Sequence, residues 1–229
     1  MPPKDNLLSL DMGTDDCLYR LHRDLDSTST VIYVHLQTLS LLPTESLTYG
    51  PDLVKNLRLN VPSWDEPWMT LTITTQQRLQ WACDAAEGLQ VLHENGVWHC
   101  DLRTVNFLLD ETLRLKIIDF EGSSPDGCEP SSLENTRFFL PRDWREPSTA
   151  RTELFALGSV IYEIMTGKEP YLELGDEEVT ALFEEKKFPP VDQLPCGDII
   201  MKCWLGELHS AEEVRALIEG KLHDYEAKV

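Results

Sequence analysis

The chain has 229 residues, of which 40 are acidic and 20 basic, for a formal charge of −20, and 41% are hydrophobic. That length buries a core as one large domain or two small ones, and the hydrophobic share is that of a folded soluble chain. An acidic excess of this size excludes nucleic acid as a partner and disfavours a membrane surface, since both need a basic face, while a basic peptide or protein partner stays compatible beside the simpler role of solvating the surface.

Six cysteines, at 17, 83, 100, 128, 196 and 203, form no C-x-x-C pair. Neither a disulfide framework nor a zinc site is expected, so they read as reduced intracellular thiols. The opening MPPKDNLLSLDMGTDD holds too short an apolar run for a signal peptide, and no run of about eighteen apolar residues follows. The expected location is cytoplasmic or nuclear.

In chain order, residues 17–42 read as a hairpin, with β-branched and aromatic runs on either side of the polar LDSTS. Thr44 to Ser46 is placed to cap a short helix over 44–59, and NVPSWDEPWMTLTIT reads as a long, partly packed connection. Residues 75–95 predict a helix, because Leu79, Ala82, Cys83, Ala86, Leu89 and Leu92 share one face. Asn95-Gly96 ends it, since glycine accepts the left-handed conformation of a C-cap. FLL and LRLKII, joined around the polar DET, predict a two-stranded ribbon.

Residues 121–149 are dense in Gly, Ser and Pro and read as a long loop. TELFALGSVIYEIMTG, residues 152–167, is apolar on nearly every side and predicts a deeply buried helix ended by Gly167. Further helices are expected at 175–187, 197–205 and 210–227. Strands first and helices after predict an α+β fold with segregated elements.

The chemistry concentrates in one stretch, where Asp101 and Asn106 stand five residues apart and Asp119 follows Asp101 by eighteen. Phosphoryl transfer asks for an acceptor for a hydroxyl proton and ligands that hold divalent metal on phosphates, and these side chains supply both. HCDLRTVN followed by DF resembles the catalytic and metal-binding loops of eukaryotic protein kinases, written H-R-D-L-x-x-x-N and D-F-G. LFALGSVIYEIMTGKEPY resembles the central helix of the kinase helical lobe, and IIMKCW a later helix of tyrosine-kinase-like members. RFFLPRDW and TGKEPY are similar to a divergent group of kinase-like domains found in fungi. The resemblance covers about residues 44–220.

That resemblance implies a mostly helical C-lobe over 44–229, with its catalytic loop at 99–106 and activation segment at 119–147. Residues 1–43 would be the remnant of a truncated strand-rich N-lobe and hinge. It implies that Asp101 accepts or orients the substrate hydroxyl and that Arg103 steadies the transferred phosphate. Asn106 and Asp119 would hold Mg²⁺ on ATP, and His99 would brace the loop. The partner would be a protein carrying a Ser, Thr or Tyr hydroxyl.

The chain also departs from the family pattern. No G-x-G occurs; the one G-x-x-x-x-G, Gly122 to Gly127, is followed by Cys128-Glu129; and Lys4 is the sole lysine before residue 48. Cys100 replaces the arginine that receives an activation-loop phosphate, Glu121 replaces the glycine after Asp-Phe, and Glu153 replaces the aspartate that ties down the catalytic loop. Ala-Pro-Glu is not recognisable and no matching arginine follows KCW, so the ion pair that locks the activation segment in family members is not expected. Ser123, Ser124, Ser131, Ser132 and Thr136 are candidate phosphorylation sites in a loop whose composition is otherwise that of a flexible segment. Three readings stay open: a protein kinase, a pseudokinase serving as a binding or regulatory module, and a truncated remnant with no independent role.

Overall fold

The computed structural model describes residues 19–23, 30–34, 73–109, 112–120, 122–125 and 134–227. The helix expected over 44–59 and most of the connection behind it lie outside these residues, as do Glu121, Ser131 and Ser132. The chain divides into two compact units, Met1–Ser46 and Leu47–Val229. In the first, β1 (Tyr19–Arg23) pairs antiparallel with β2 (Thr30–Val34), from Tyr19 opposite Val34 to Arg23 opposite Thr30.

The second unit is mostly helical. Helix α1 (Thr75–Glu94) opens on Thr74, whose hydroxyl accepts from Gln77 N, and closes at Asn95 with Gly96 at φ 67°. Its apolar face, from Leu79 to Leu92, is fully buried. Then come β3 (Val97–Trp98), β4 (Phe107–Leu109), β5 (Leu115–Ile117) and β6 (Ser124–Pro125). The ribbon forms as the residue pattern predicts, with Phe107 opposite Ile117 and Leu109 opposite Leu115. The loop expected after residue 121 carries a short strand as well, since β6 pairs with β3, Val97 opposite Pro125 and Trp98 opposite Ser124. A two-residue strand has no periodicity to reveal it, and only its partner defines it.

Helix α2 (Ala150–Thr166) runs through the core. Thr149 and Thr152 form a reciprocal capping box at its start, and Gly167 at φ 77° ends it. Leu154, Phe155, Leu157, Val160, Ile161 and Ile164 are all buried. Helices α3 (Asp176–Glu184), α4 (Gly197–Leu205) and α5 (Ala211–Glu226) follow, with α3 ending earlier than the expected 187 because Lys186 turns to φ 53°. Trp204 of α4 lies against α2, its indole N–H donating to Ser159 Oγ at 3.0 Å. A Cβ on Gly158 would stand 2.8 Å from Cys203 Cβ, so the close approach of α2 and α4 requires glycine there. Arg78 of α1 donates to the Ile164 carbonyl near the end of α2.

One buried acid fixes the ribbon to this body. Asp84 on α1, 4% exposed, accepts from Arg114 Nε at 2.9 Å and from Leu115 N at 2.9 Å. Trp81 Nε1 donates to the Leu113 carbonyl at 2.8 Å. The fold is α+β, mostly helical and short of strands, and no helix among the described residues is long and apolar enough to cross a membrane.

Candidate active site

The ribbon explains the eighteen-residue spacing. Asn106 is the residue before β4 and Ile118 the residue after β5, so the Phe107–Ile117 register sets them opposite each other. Ile118 N donates to the Asn106 carbonyl at 2.9 Å. His99, wholly buried, donates from Nε2 to the Ile118 carbonyl at 3.0 Å, and its ring lies 5.3 Å from that of Phe120. A carbonyl only accepts, so the ring proton is on Nε2 and Nδ1 is left to receive Asp101 N–H at 3.4 Å. Ser123 Oγ donates to the His99 carbonyl at 3.2 Å, and Ser124 is buried in the β3–β6 pair, so neither candidate hydroxyl is presented to solvent alone. The loops holding Asp101 and Asp119 are thus zipped together along their length.

Within the first loop, Asn106 Nδ2 donates to the Asp101 carbonyl at 2.7 Å and to Asp101 Oδ2 at 3.2 Å. Arg103 Nε lies 3.2 Å from the same Oδ2. The Asp101 carboxyl is pushed above its ordinary range chiefly by burial, against the pull of Arg103 and the Asn106 amide; the nearby charge of Asp119 adds to the rise. Asp119 is exposed. The structure therefore brings Asp101, Arg103 and Asn106 into hydrogen-bond or ion-pair contact, with Asp119 at electrostatic range.

Cys100 and Asp119 take φ of 65° and 63°, in the left-handed region. Aspartate visits this region readily, but cysteine does so at a cost of roughly 1–2 kcal/mol. Glu153 on α2, 0% exposed, holds Cys100 in place: Oε1 accepts Cys100 N–H at 2.7 Å while Oε2 accepts His93 Nε2–H at 2.7 Å. Glu153 thus ties the loop from beneath. The Cys100 thiol is pushed up to about 11 by burial, which leaves it inert at neutral pH. A second buried tie had no warning in the loop motif: Thr104 Oγ1 donates to Glu163 Oε2 at 2.6 Å. Its available signal was the acid itself, standing inside an otherwise apolar helix where a charge needs a partner.

The donor set suits a hard cation shared with phosphates. The Asn106 amide nitrogen is spent on Asp101, which leaves its oxygen as the ligating end, and Asp119 offers a carboxylate. Among the described residues no group of three or more His, Cys, Asp and Glu is placed to hold a metal. Mg²⁺ fits this arrangement, because it takes one or two protein oxygens and fills its octahedron with water and phosphate oxygens.

A family model described as "Protein kinase domain" matches residues 64–227. The "Serine/threonine/tyrosine-protein kinase HT1" of Arabidopsis thaliana is 30% identical over 169 residues, 70% of this chain and 41% of that protein. The "Serine/threonine-protein kinase PknB" of Mycobacterium leprae is 29% identical over 124 residues, 51% of this chain and 20% of that protein. The "Dual specificity protein kinase shkD" of Dictyostelium discoideum is 30% identical over 139 residues, 56% of this chain and 19% of that protein. In each case the chain spans less than half of the relative's length.

Proposed function

This chain belongs to the protein kinase family, and from that premise we propose that it transfers the γ-phosphoryl group of ATP to a hydroxyl of a protein. The observation that carries this reading is the Asn106 amide, which grips both the carbonyl and the carboxylate of Asp101 and so fixes where that carboxylate points. Asp101 takes the proton of the incoming hydroxyl as its oxygen bonds to the γ-phosphorus, and the bond from that phosphorus to the β–γ bridging oxygen breaks to leave ADP. Burial raises the basicity of Asp101 for this step. Arg103, already beside Asp101, offers its guanidinium to the transferring oxygens. Asn106 and Asp119 would hold Mg²⁺, which neutralises charge on the nucleotide phosphates when bound.

A second reading has its own support. The sequence contains no G-x-G, and neither strand of the described hairpin contains a lysine. On that reading the helical unit serves as a binding or regulatory module. The −20 charge favours a basic protein surface as partner under either reading.

Melting curves with and without Mg·ATP separate the two. A ligand at one hundred times its Kd stabilises the native state by about 2.7 kcal/mol, which for a chain of this size moves the midpoint by roughly 5–10 °C. The kinase reading expects a metal-dependent shift lost in Asp119→Ala, and transfer abolished in Asp101→Asn while the shift persists. Absence of any shift at millimolar Mg·ATP turns the assignment to the binding module.

A further inference from the structure

The sequence provides neither the arginine that receives a phosphate nor the Ala-Pro-Glu ion pair, yet the second half of the activation segment is firmly built. Glu134 Oε2 accepts from Arg142 Nη2 at 3.0 Å, and the side chains of Arg142 and Glu134 are 6% and 0% exposed. The Arg142 guanidinium also lies 4.3 Å from the centre of the Phe139 ring. Between the two ends of this span, Arg137 reaches outward, donating to the Leu174 carbonyl at 2.6 Å and to Asp176 Oδ1 at 2.7 Å. Phe138, 1% exposed, is driven into the core beside it.

The Glu134–Arg142 pair stands behind the catalytic loop. The charge of Glu134 acts on the Cys100 thiol, and the charges of Glu134 and Glu153 act on each other. A phosphate of nearly two negative charges brought to this place would meet two buried carboxylates and a neutral cysteine, with the nearby Arg142 already engaged. Removing one member of a buried ion pair strands the other without compensation, whereas removing both is far better tolerated, so such a pair acts on specificity of arrangement more than on net stability.

We propose that Glu134 and Arg142 are positioning residues whose buried ion pair holds the activation segment in place without phosphorylation. Glu134 supplies from within the chain the negative charge that family members obtain from a phosphate, and Arg142 supplies the receiving cation that Cys100 cannot. The part of this concerning phosphoryl transfer rests on the kinase reading above; the lock itself does not.

The test uses the full chain, treated with phosphatase, as wild type, Glu134→Gln, Arg142→Met and the double variant Glu134→Leu/Arg142→Met. Hydrogen exchange and mass-mapped limited proteolysis report the segment over 134–149, with the amides of α2 as internal reference. Phosphatase-treated wild type should stay as protected as untreated protein, while each single variant loses protection over 134–149 by about tenfold or more and the double variant regains most of it. In a transfer assay the single variants should raise the KM for a protein substrate and leave that for ATP unchanged, a split that general unfolding would not produce. Loss of protection on phosphatase treatment overturns the proposal, as do single variants as protected as wild type or a double variant as open as the singles. A chain that transfers no phosphate removes the kinase reading, and the protection measurements then decide the lock alone.

Discussion

The catalytic loop and the activation segment are both irregular backbone, and the fold fixes them by opposite chemistry. The loop at 99–106 is tied by buried carboxylates on α2: Glu153 takes the Cys100 amide and Glu163 takes the Thr104 hydroxyl. The segment at 134–149 is tied by arginines: Arg137 donates to the Leu174 carbonyl and to Asp176, and Arg142 pairs with Glu134. The loop offers donors to the core, so acids beneath it fix it; the segment must be bound to carbonyls and acids, so it brings its own guanidiniums. Irregular backbone without a ladder is held here by buried charged side chains, acids under the loop and arginines in the segment.

The sharpest way to break this contrast is Glu153→Ala. It strands the Cys100 amide and His93 together and releases a strained residue next to Asp101, a loss of about 3 kcal/mol or more. Thermal unfolding should show a midpoint lower by about 10 °C, with transfer lost even below that midpoint. Arg137→Ala should cost about 1.5–3 kcal/mol, since two charge-assisted contacts disappear from a buried side chain, and should loosen the segment while sparing the loop. Denaturant unfolding with segment-resolved hydrogen exchange checks both halves of that statement.

Asp101 sharpens the comparison through pH. Its raised pKa places the acid limb of activity above the ordinary carboxylate value of about 3.9. Arg103 favours the ionised form, so Arg103→Gln should move that limb to still higher pH in a rate profile. A raised folded-state pKa means stability that is full below the unfolded value and lost as pH rises through the folded one. Asp101→Asn should therefore melt higher than wild type at neutral pH, and that gain should vanish toward pH 4. The smallest effect belongs to Arg145→Ala: its side chain is 69% exposed and its carboxylate partner Asp143 52% exposed, so the change should lie within about 0.5 kcal/mol.

Much of the fold was legible from local pattern. The faces of α1 and α2, the stops at Asn95-Gly96 and Gly167, and the FLL/LRLKII ribbon all depend on residues a few positions apart, where spacing and turn chemistry act directly. The grouping of Asp101, Asn106 and Asp119 was legible for the same reason, because a short ribbon of set register connects them. The β3–β6 pair, Asp84 under the ribbon, and the Glu163 and Glu134 ties were not, since each satisfies a group far along the chain or on the far side of a loop.

The sequence by itself determined an α+β chain of the protein kinase family, the helices at 75–95 and 152–167 with their stops at Asn95-Gly96 and Gly167, and the spacing of Asp101, Asn106 and Asp119. Only the tertiary structure decided how irregular backbone is held: that Glu153 reaches from α2 to a left-handed cysteine, and that Glu134 closes on Arg142. The reason is physical. Periodicity and capping are short-range and leave a trace in neighbouring residues, but a buried charge is satisfied by whichever group the packed core delivers to it, and the sequence spacing of that partner is free to vary.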